Sequence, residues 1–436
     1  MKRNQLDLFP LSTRLNSGGS LTIAGHELSD LAKQWGTPLY LYDAFTVQTQ
    51  AESIRQLLFA AYPGASDITY AAKAYFSLGI ARRLATLNLG VDVVSLGELE
   101  VARRAGFLPE RVHLHGNNKG EAELKAAIEW GVQAIVVDSL EELTYLERLC
   151  AGMKRIARIW LRVTPGIHVD THAYRQTAHP ASKFGLPISD GQAAEGIRRG
   201  RASPWLKLTG LHTHLGSQVF ETEPYQKAAE VLLELGDEAG WIPEEISPGG
   251  GWGVPYTLDD PEAAPQPWID AIASTIAAGC ARRGWPLPKL LVEPGRMIVG
   301  RAGVVVYTVG TSKTAADGTY LVAVDGGMAD NLRPALYQAR YTACRVDLPN
   351  SPITLKTTLV GKFCESGDQL ISEVLLPPVE RGDLVVMPVA GAYHLAMSSN
   401  YNLAARPAVL WLEPDKVSVL QLREDPCQLD WWMAEG

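Results

Sequence analysis

Between about residues 38 and 300 the chain alternates short apolar runs with longer segments whose apolar residues recur at helical spacing. Apolar residues three and four positions apart lie on one face of a helix, whereas a short continuous apolar run is typical of a buried strand. Together the two patterns predict repeated βα units and a parallel sheet. The runs that predict strands are 38–43, 68–71, 91–95, 112–115, 134–138, 159–163, 208–214, 245–247 and 290–293.

Eight βα units close a barrel of the TIM type. The pattern gives nine candidate strands, and one extra candidate is within the usual error of predicting strands from a pattern. After about residue 300, β-rich runs follow one another with few helical segments between them, which is typical of a mostly antiparallel β domain. A strand-like run at 20–23 predicts that the N-terminal segment contributes to this domain. We therefore predict an α/β barrel over residues 38–300 and a β domain made of residues 1–37 and 301–436.

Composition narrows the class of protein. The 436 residues are 46% hydrophobic and 20% charged, as in ordinary globular proteins, and the net charge of -8 disfavours a nucleic-acid partner. No apolar run approaches the roughly 18 residues needed to cross a bilayer, and the N-terminus lacks the apolar core of a secretory signal. Five scattered cysteines without a C-x-x-C pair favour a reducing compartment. We expect a cytoplasmic, soluble protein with no membrane partner.

Candidate chemistry falls at the carboxyl ends of the predicted strands, where barrel enzymes carry their functional residues. Lys73 follows the run 68–71 and is flanked by Ala72 and Ala74. A lysine in such small, partly apolar surroundings can form a Schiff base with an aldehyde. Taken alone, however, a lysine after a strand is more often a surface residue.

Downstream segments could hold a phosphorylated ring. Gly249, Gly250 and Gly251 present backbone N–H groups without side chains that would crowd a phosphate, although a tight turn explains them equally well. The segment from Glu293 through Gly295 to Arg296 offers a carboxylate for a pyridine nitrogen and a guanidinium for an anion. A surface ion pair is the less favoured alternative. With Lys73 and the segment 391–393, these residues indicate pyridoxal phosphate.

Two His-x-His pairs, His113 with His115 and His212 with His214, each share one face of a strand. Such pairs can bind zinc in barrels, but barrel metallohydrolases generally place theirs before the metal-bridging lysine, so we predict no metal. His113 and His212 are expected to be core residues. His214 precedes a small turn ending at Ser217, so its imidazole could stack on a flat cofactor while Ser217 donates to phosphate.

Cys364 and Glu365 lie in a turn between predicted strands. A free cysteine is most often a small buried hydrophobe, but these polar neighbours make a reactive thiol and proton donor plausible.

These motifs, taken in order along nearly the whole chain, resemble the pyridoxal-phosphate decarboxylases of the alanine-racemase-like barrel class, which have fold type III. The resemblance implies that Lys73 forms the Schiff base with the cofactor, that His214 stacks on its ring and that Glu293 faces the pyridine nitrogen. The other residues that it assigns to binding of the cofactor and its phosphate are Ser217, Gly249, Gly250, Gly251, Gly295, Arg296 and Tyr393. The residues that it assigns to the substrate are Arg296, Arg333, Tyr337, Glu365 and Tyr393.

The resemblance also implies that Cys364 returns a proton to the α-carbon and completes the neighbouring site in a homodimer. Its nearest branch decarboxylates meso-2,6-diaminopimelate to L-lysine and carbon dioxide, the last step of lysine biosynthesis. Decarboxylases of lysine, ornithine or a D-amino acid are alternatives, but they have no second substrate carboxylate to occupy Arg333. An alanine racemase is disfavoured by the segment around Cys364. A non-catalytic homologue that binds the cofactor is disfavoured by the joint presence of Lys73, Cys364 and Glu293.

Overall fold

The computed structural model describes residues 4–167 and 182–428. Its strands are β1 (Arg14–Leu15), β2 (Leu21–Ile23), β3 (His26–Glu27), β4 (Leu39–Asp43), β5 (Ser66–Ala71), β6 (Gly90–Val93), β7 (Val112–Leu114), β8 (Ala134–Val137), β9 (Ala157–Thr164), β10 (Leu186–Pro187), β11 (Leu206–His212), β12 (Glu245–Ser247), β13 (Lys289–Val292), β14 (Gly303–Thr314), β15 (Tyr320–Val324), β16 (Cys344–Arg345), β17 (Leu355–Val360), β18 (Gln369–Leu376), β19 (Leu384–Met387), β20 (Ala408–Glu413) and β21 (Lys416–Gln421).

Its α-helices are α1 (Leu28–Trp35), α2 (Ala44–Ala61), α3 (Leu78–Thr86), α4 (Leu96–Ala105), α5 (Glu121–Trp130), α6 (Leu140–Met153), α7 (Gln192–Ala202), α8 (Glu223–Glu238), α9 (Gln266–Arg283), α10 (Arg296–Val299) and α11 (Arg333–Tyr337). Within the described residues, none of these helices is both long and apolar enough to span a bilayer.

The chain divides into two compact units. The first, here called the barrel unit, consists of Gln50–Gly253 and Ala263–Met297. The second, here called the β unit, consists of Met1–Thr49, Val254–Glu262 and Ile298–Gly436. The limits of 38 and 300 given above for the two domains stay a prediction.

The barrel unit is built on a closed parallel barrel of eight strands, which confirms the predicted fold class. The strand order is β9, β11, β12, β13, β5, β6, β7 and β8, and β8 pairs with β9 to close the ring. A short additional strand, β10, pairs in parallel with β9. Because the strands are parallel, their carboxyl ends meet at one end of the barrel, and side chains that follow the strands are collected there.

Several barrel helices begin at a serine whose hydroxyl caps the first turn. Ser95 accepts a hydrogen bond from the backbone N–H of Glu98 at the start of α4, and Ser139 accepts one from Glu142 at the start of α6. These caps satisfy backbone N–H groups that have no partner within the helix. Helix α4 ends at Gly106, whose φ of 91° suits glycine and stops the helix. These caps fix where each helix begins and ends, and so fix the short connections that follow the barrel strands.

The β unit contains a mostly antiparallel sheet, as predicted. Its main path runs β18, β17, β15, β14, β4, β20 and β21, with β16 and β19 alongside β14. A separate sheet of β1, β2 and β3 packs its apolar side chains into the same core, where Leu21 and Ile23 are fully buried. The N-terminal segment therefore does contribute to this unit.

One strand assignment from the sequence is wrong. The run 38–43 was expected among the barrel strands, but β4 pairs antiparallel with β14 and parallel with β20 in the β unit. All five residues of β4 are buried, so the strand is covered on both faces. A doubly buried strand in a mixed sheet has the same continuous apolar pattern as a barrel strand, and periodicity alone cannot separate them.

Candidate active site

Lys73 lies directly after β5, in the short 3-10 turn Ala72–Ala74. Ala72 and Ala74 are buried, whereas Lys73 itself is exposed, so the turn fixes the backbone on both sides of Lys73. The position agrees with the predicted location at a strand end. A lysine anchored between two buried alanines is placed reproducibly, as a covalent attachment point requires.

Two carboxyl groups face Lys73. Asp92, on the neighbouring strand β6, accepts a hydrogen bond from the backbone N–H of Ala72 at 3.0 Å and interacts electrostatically with Lys73. Burial raises the pKa of Asp92 to about 7, although Lys73 acts in the opposite direction. Burial also raises the pKa of Glu98. Its carboxylate accepts a hydrogen bond from the backbone N–H of Val94, and the charge of Lys73 acts to lower its pKa. Neither acid had a role predicted from the sequence.

His214 follows β11 and is held by the glycine turn. The backbone N–H of Gly250 donates to its Nδ1 at 3.4 Å, which leaves Nε2 as the protonated ring nitrogen. Burial is the main reason that the pKa of His214 lies well below its usual range, and the charge of Lys73 adds to the effect. The ring is therefore a neutral, fixed imidazole, as stacking on a flat cofactor requires.

The turn of Gly249, Gly250 and Gly251 has no room for side chains. A Cβ on Gly250 would lie 2.0 Å from the carbonyl oxygen of Glu293, and one on Gly251 would lie 1.9 Å from that of Gly216. Gly249 and Gly251 also adopt positive φ values of 79° and 90°. Only glycine satisfies these conditions, so the backbone can approach a bound group closely.

Arg296 and Ser217 meet beside this turn. Arg296 is 6% exposed, and its Nη2 donates to the hydroxyl oxygen of Ser217 at 2.9 Å. The preceding residue, Gly295, packs closely on the end of β5, because a Cβ there would lie 2.8 Å from that of Ala71. A guanidinium, a hydroxyl and a side-chain-free turn together have the chemistry of a phosphate site.

Glu293 follows β13 and is almost completely buried, at 4% exposure. One carboxylate oxygen accepts from Nε2 of His212 at 3.1 Å, and the other accepts from the hydroxyl of Ser247 at 2.7 Å. Burial alone would raise the pKa of Glu293, but the interactions with His212, His115 and Ser247 outweigh it and hold that pKa well below its usual range. The barrel therefore contains a buried carboxylate anion.

His113 lies in the core of the barrel unit, as predicted. It is 2% exposed and packs on Trp160, with ring centroids 4.4 Å apart. His115 packs edge-on against His212, and one ligand atom each of His115, His212 and Glu293 lies within 4.8 Å of the others. The hydrogen bond between His212 and Glu293 and the packing of His115 on His212 account for that proximity.

In the β unit, Arg333 opens α11 and is only 1% exposed. Its guanidinium lies 4.5 Å from the ring centre of Tyr256 and donates from Nη1 to the hydroxyl of Tyr341. Among the described residues of this unit, no carboxylate forms an ion pair with it, and its Nε has no hydrogen-bond acceptor. A buried guanidinium surrounded by aromatic rings is costly unless it meets an anion. Tyr337 ends the same helix and is half-buried.

Cys364 and Glu365 are exposed at the tip of a loop between β17 and β18. The base of the loop is fixed, because the carboxylate of Asp368 accepts from the backbone N–H groups of Met328 at 2.6 Å and Phe363 at 2.7 Å. Glu365 accepts from the hydroxyl of Tyr401 at 2.7 Å. Thus Cys364 is not the buried hydrophobe that free cysteines usually are.

Tyr393 and Gly391 occupy a constrained turn of the β unit. Tyr393 has a φ of 63°, which is unusual for an aromatic residue. Gly391 accepts a hydrogen bond at its carbonyl from the hydroxyl of Tyr42 at 2.7 Å, and a Cβ on it would lie 1.9 Å from the carbonyl oxygen of Val299. The backbone around Tyr393 is therefore closely fixed.

The barrel residues fit pyridoxal phosphate. The glycine turn leaves space that any side chain would fill, Arg296 and Ser217 suit the phosphate, and Glu293 is an anion able to pair with a protonated pyridine nitrogen. These features define a pyridoxal-phosphate barrel of fold type III.

Comparison with known proteins identifies the family. The family model described as the pyridoxal-binding domain of pyridoxal-dependent decarboxylases matches residues 46–300, and the chain belongs to this family. Diaminopimelate decarboxylase of Bacillus subtilis is 39% identical over 417 residues, covering 95% of each chain. The structure of diaminopimelate decarboxylase from M. jannaschii in complex with L-lysine superposes with a TM-score of 0.91 at 28% identity, over 98% of each chain. The Helicobacter pylori enzyme complexed with L-lysine gives 0.84 at 30% identity, over 93% of this chain and 98% of that one. The protein is an enzyme of the lyase class with pyridoxal phosphate as its cofactor.

The structure brings together some residues that the sequence left apart. His214 and the glycine turn are in direct contact, as are Arg296 and Ser217. Ser247 and Asp92 were not predicted from the sequence, although each lies at the carboxyl end of a barrel strand, which was the available signal. His212 was expected to be an ordinary core residue, and its hydrogen bond to Glu293 was not predicted.

Proposed function

We propose that this enzyme decarboxylates meso-2,6-diaminopimelate to L-lysine and carbon dioxide as the last step of lysine biosynthesis. Relatives named diaminopimelate decarboxylase match it over nearly the whole chain, which supports the reaction class. The observation that carries the substrate choice is Arg333, a buried guanidinium without a carboxylate partner among the described residues of its unit. A diamino acid with a second carboxylate supplies that partner, whereas lysine and ornithine do not.

In the proposed site, Lys73 attaches the cofactor covalently and His214 stacks on its ring. Glu293 faces the pyridine nitrogen. The other residues proposed to bind the cofactor and its phosphate are Ser217, Gly249, Gly250, Gly251, Gly295, Arg296 and Tyr393. When bound, pyridoxal phosphate supplies a sink for the electron pair that remains as carbon dioxide leaves.

The substrate is proposed to contact Arg296, Arg333, Tyr337, Glu365 and Tyr393. The distal carboxylate pairs with a guanidinium, and the distal ammonium pairs with Glu365. As the bond between the carboxylate and the α-carbon breaks, Cys364 supplies the proton that takes the place of carbon dioxide. Its position at an exposed loop tip supports this role, because a thiol must be reachable to deliver a proton.

We further propose a homodimer in which the loop carrying Cys364 completes the partner's site. The exposure of Cys364 and Glu365, combined with the firm anchoring of the loop by Asp368, supports a tip that acts on another molecule. We also propose a cytoplasmic location, which is supported by the five cysteines, all of them free.

The substrate assignment is tested by measuring carbon dioxide released from meso-diaminopimelate, lysine, ornithine and D-configured diamino acids by the purified holoenzyme. We expect release from meso-diaminopimelate in large excess over the others. Release from lysine or ornithine without release from meso-diaminopimelate would contradict the proposal.

A further inference from the structure

Three neighbouring barrel strands place polar side chains side by side in the interior. His212 ends β11, Ser247 ends β12, and Glu293 directly follows β13. The strand register pairs His212 with Ser247, and both are buried, at 1% and 0% exposure. Their mutual position is therefore set by the pairing of strands and not by flexible loops.

The two donors occupy different oxygens of the carboxylate. His212 donates from Nε2 to Oε2 of Glu293, and Ser247 donates to Oε1. Nδ1 of His212 has no hydrogen-bond partner among the described residues, so Nε2 makes the polar contact of the ring. His212 is thus a fixed donor whose main contact is Glu293.

Other ionisable groups also act on Glu293, but none of the following has a hydrogen bond to it among the described residues. Burial lowers the pKa of both His113 and His115. The groups that interact with Glu293 electrostatically are Asp92, His113, His115, Arg162 and His214. His212 is the strongest of the influences that favour the anionic form of Glu293.

We propose that His212 is a positioning residue that keeps a shared proton on the pyridine nitrogen of the cofactor and off Glu293. The inference rests on the proposed function, in which Glu293 faces that nitrogen. In a buried pair, the proton tends to move to the carboxylate because two neutral groups need less solvation than two charges. Hydrogen bonds to the carboxylate lower its proton affinity and reverse this preference.

The functional consequence concerns the electron sink. A protonated pyridine nitrogen withdraws electrons more strongly than a neutral one, so the location of this proton affects the rate of decarboxylation. A hydrogen bond to a charged group, worth roughly 1.5–3 kcal/mol, changes the distribution of the proton about 10-fold to 100-fold. His212 would therefore raise the rate without touching the substrate.

The test uses holoenzyme loaded with pyridoxal phosphate carrying 15N at the ring nitrogen, whose chemical shift reports protonation directly. In the unmodified enzyme at neutral pH we expect the shift of a protonated nitrogen. His212→Phe keeps a ring but removes the donor, and should move the shift toward the unprotonated value. His212→Gln retains an N–H donor and should restore much of the protonated signal. His113→Phe, a buried substitution in the same interior, should leave the signal unchanged.

Glu293→Gln separates the two proposals. If it leaves the nitrogen shift unchanged, Glu293 does not face the ring, and both the proposed role of Glu293 and this inference fail. If it abolishes protonation while His212→Phe keeps the original shift, only the role of His212 is overturned. Where His212→Phe does not fold or bind cofactor, His212→Met provides a donor-free side chain of similar volume, and the same two outcomes apply.

Discussion

At the scale of single residues, the expectation that functional residues follow the carboxyl ends of barrel strands identified Lys73 and Glu293. It did not identify the residues that act by holding another side chain or backbone group in place. Lys73 and Glu293 could be predicted because a charged residue after an apolar run is conspicuous. Asp92 and Ser247 could not, since short polar residues at strand ends are common. Their significance lies in contacts between residues 20 and 46 positions apart, to Ala72 and Glu293. The side chain of Arg333 was predicted as a substrate ligand, and its burial among tyrosines is new.

Arg333 should distinguish substrate binding from structural support. We expect Arg333→Lys, which keeps the charge but loses the planar fork, to lower kcat/KM for meso-diaminopimelate by roughly 10-fold to 100-fold, the loss of about 1.4 to 3 kcal/mol of interaction. The measurement is steady-state kinetics with the cofactor content matched. Arg340→Lys, at an exposed ion pair with Asp259, is the control and should change kcat/KM little. Equal kinetics for Arg333→Lys and the original enzyme would remove Arg333 from the substrate site.

Asp92 predicts a particular dependence of stability on pH. Its pKa of about 7 in the folded protein exceeds the ordinary value of 3.8, so the folded state holds a proton that the unfolded state has lost. The stability associated with this group is fully present below about pH 4 and declines as the pH rises toward 7, by at most about 1.4 kcal/mol per pH unit. Asp92→Asn should abolish this decline.

The measurement is the free energy of urea unfolding at a series of pH values between 4 and 8. The difference in stability between Asp92→Asn and the original protein should grow in favour of the variant as the pH rises. Asp270→Asn, on the exposed face of α9, should show no such trend. Parallel pH profiles for Asp92→Asn and the original protein would show that the carboxyl of Asp92 titrates normally.

At the scale of elements, the apolar pattern was sufficient for the barrel strands and insufficient for β4. Parallel barrel strands and β4 are buried on both faces, and nothing local reveals which sheet such a strand joins. The pairing of β4 with β14 and β20 depends on residues more than 250 positions away. The glycine turn after β12 was visible in the sequence. The structure shows its tight packing, and phosphate binding by the turn stays a proposal.

Gly250 should be intolerant of any side chain. An alanine Cβ at this position would lie 2.0 Å from the carbonyl oxygen of Glu293, so the turn must move. We expect Gly250→Ala to destabilise the protein by more than about 3 kcal/mol or to abolish cofactor binding. Gly152→Ala, in α6 where a Cβ meets nothing within 4 Å, is the matched control and should be neutral or slightly stabilising. Thermal unfolding and the visible absorbance of bound cofactor measure both effects, and normal values for Gly250→Ala would refute the close packing.

At the scale of the whole molecule, the homodimer is the part of the proposal with the sharpest test. Lys73→Ala and Cys364→Ala should each be nearly inactive. If Cys364 acts in the partner's site, mixed dimers contain one intact site, and random exchange restores about one quarter of the original activity. Subunit exchange is verified with differently tagged chains. Exchange without recovered activity would mean that both residues belong to the same subunit's site.

The pairing of β4 has a consequence for how the protein is made. On the ribosome, the chain emerges from its N-terminus, so β4 is complete about 260 residues before β14, its first long-range partner, begins. At typical rates of synthesis, this strand waits for roughly ten seconds to a minute with both edges unpaired. An unpaired apolar strand attracts other strands, including those of neighbouring nascent chains. The N-terminal 43 residues are therefore the segment whose protection by chaperones should most affect the yield of folded enzyme.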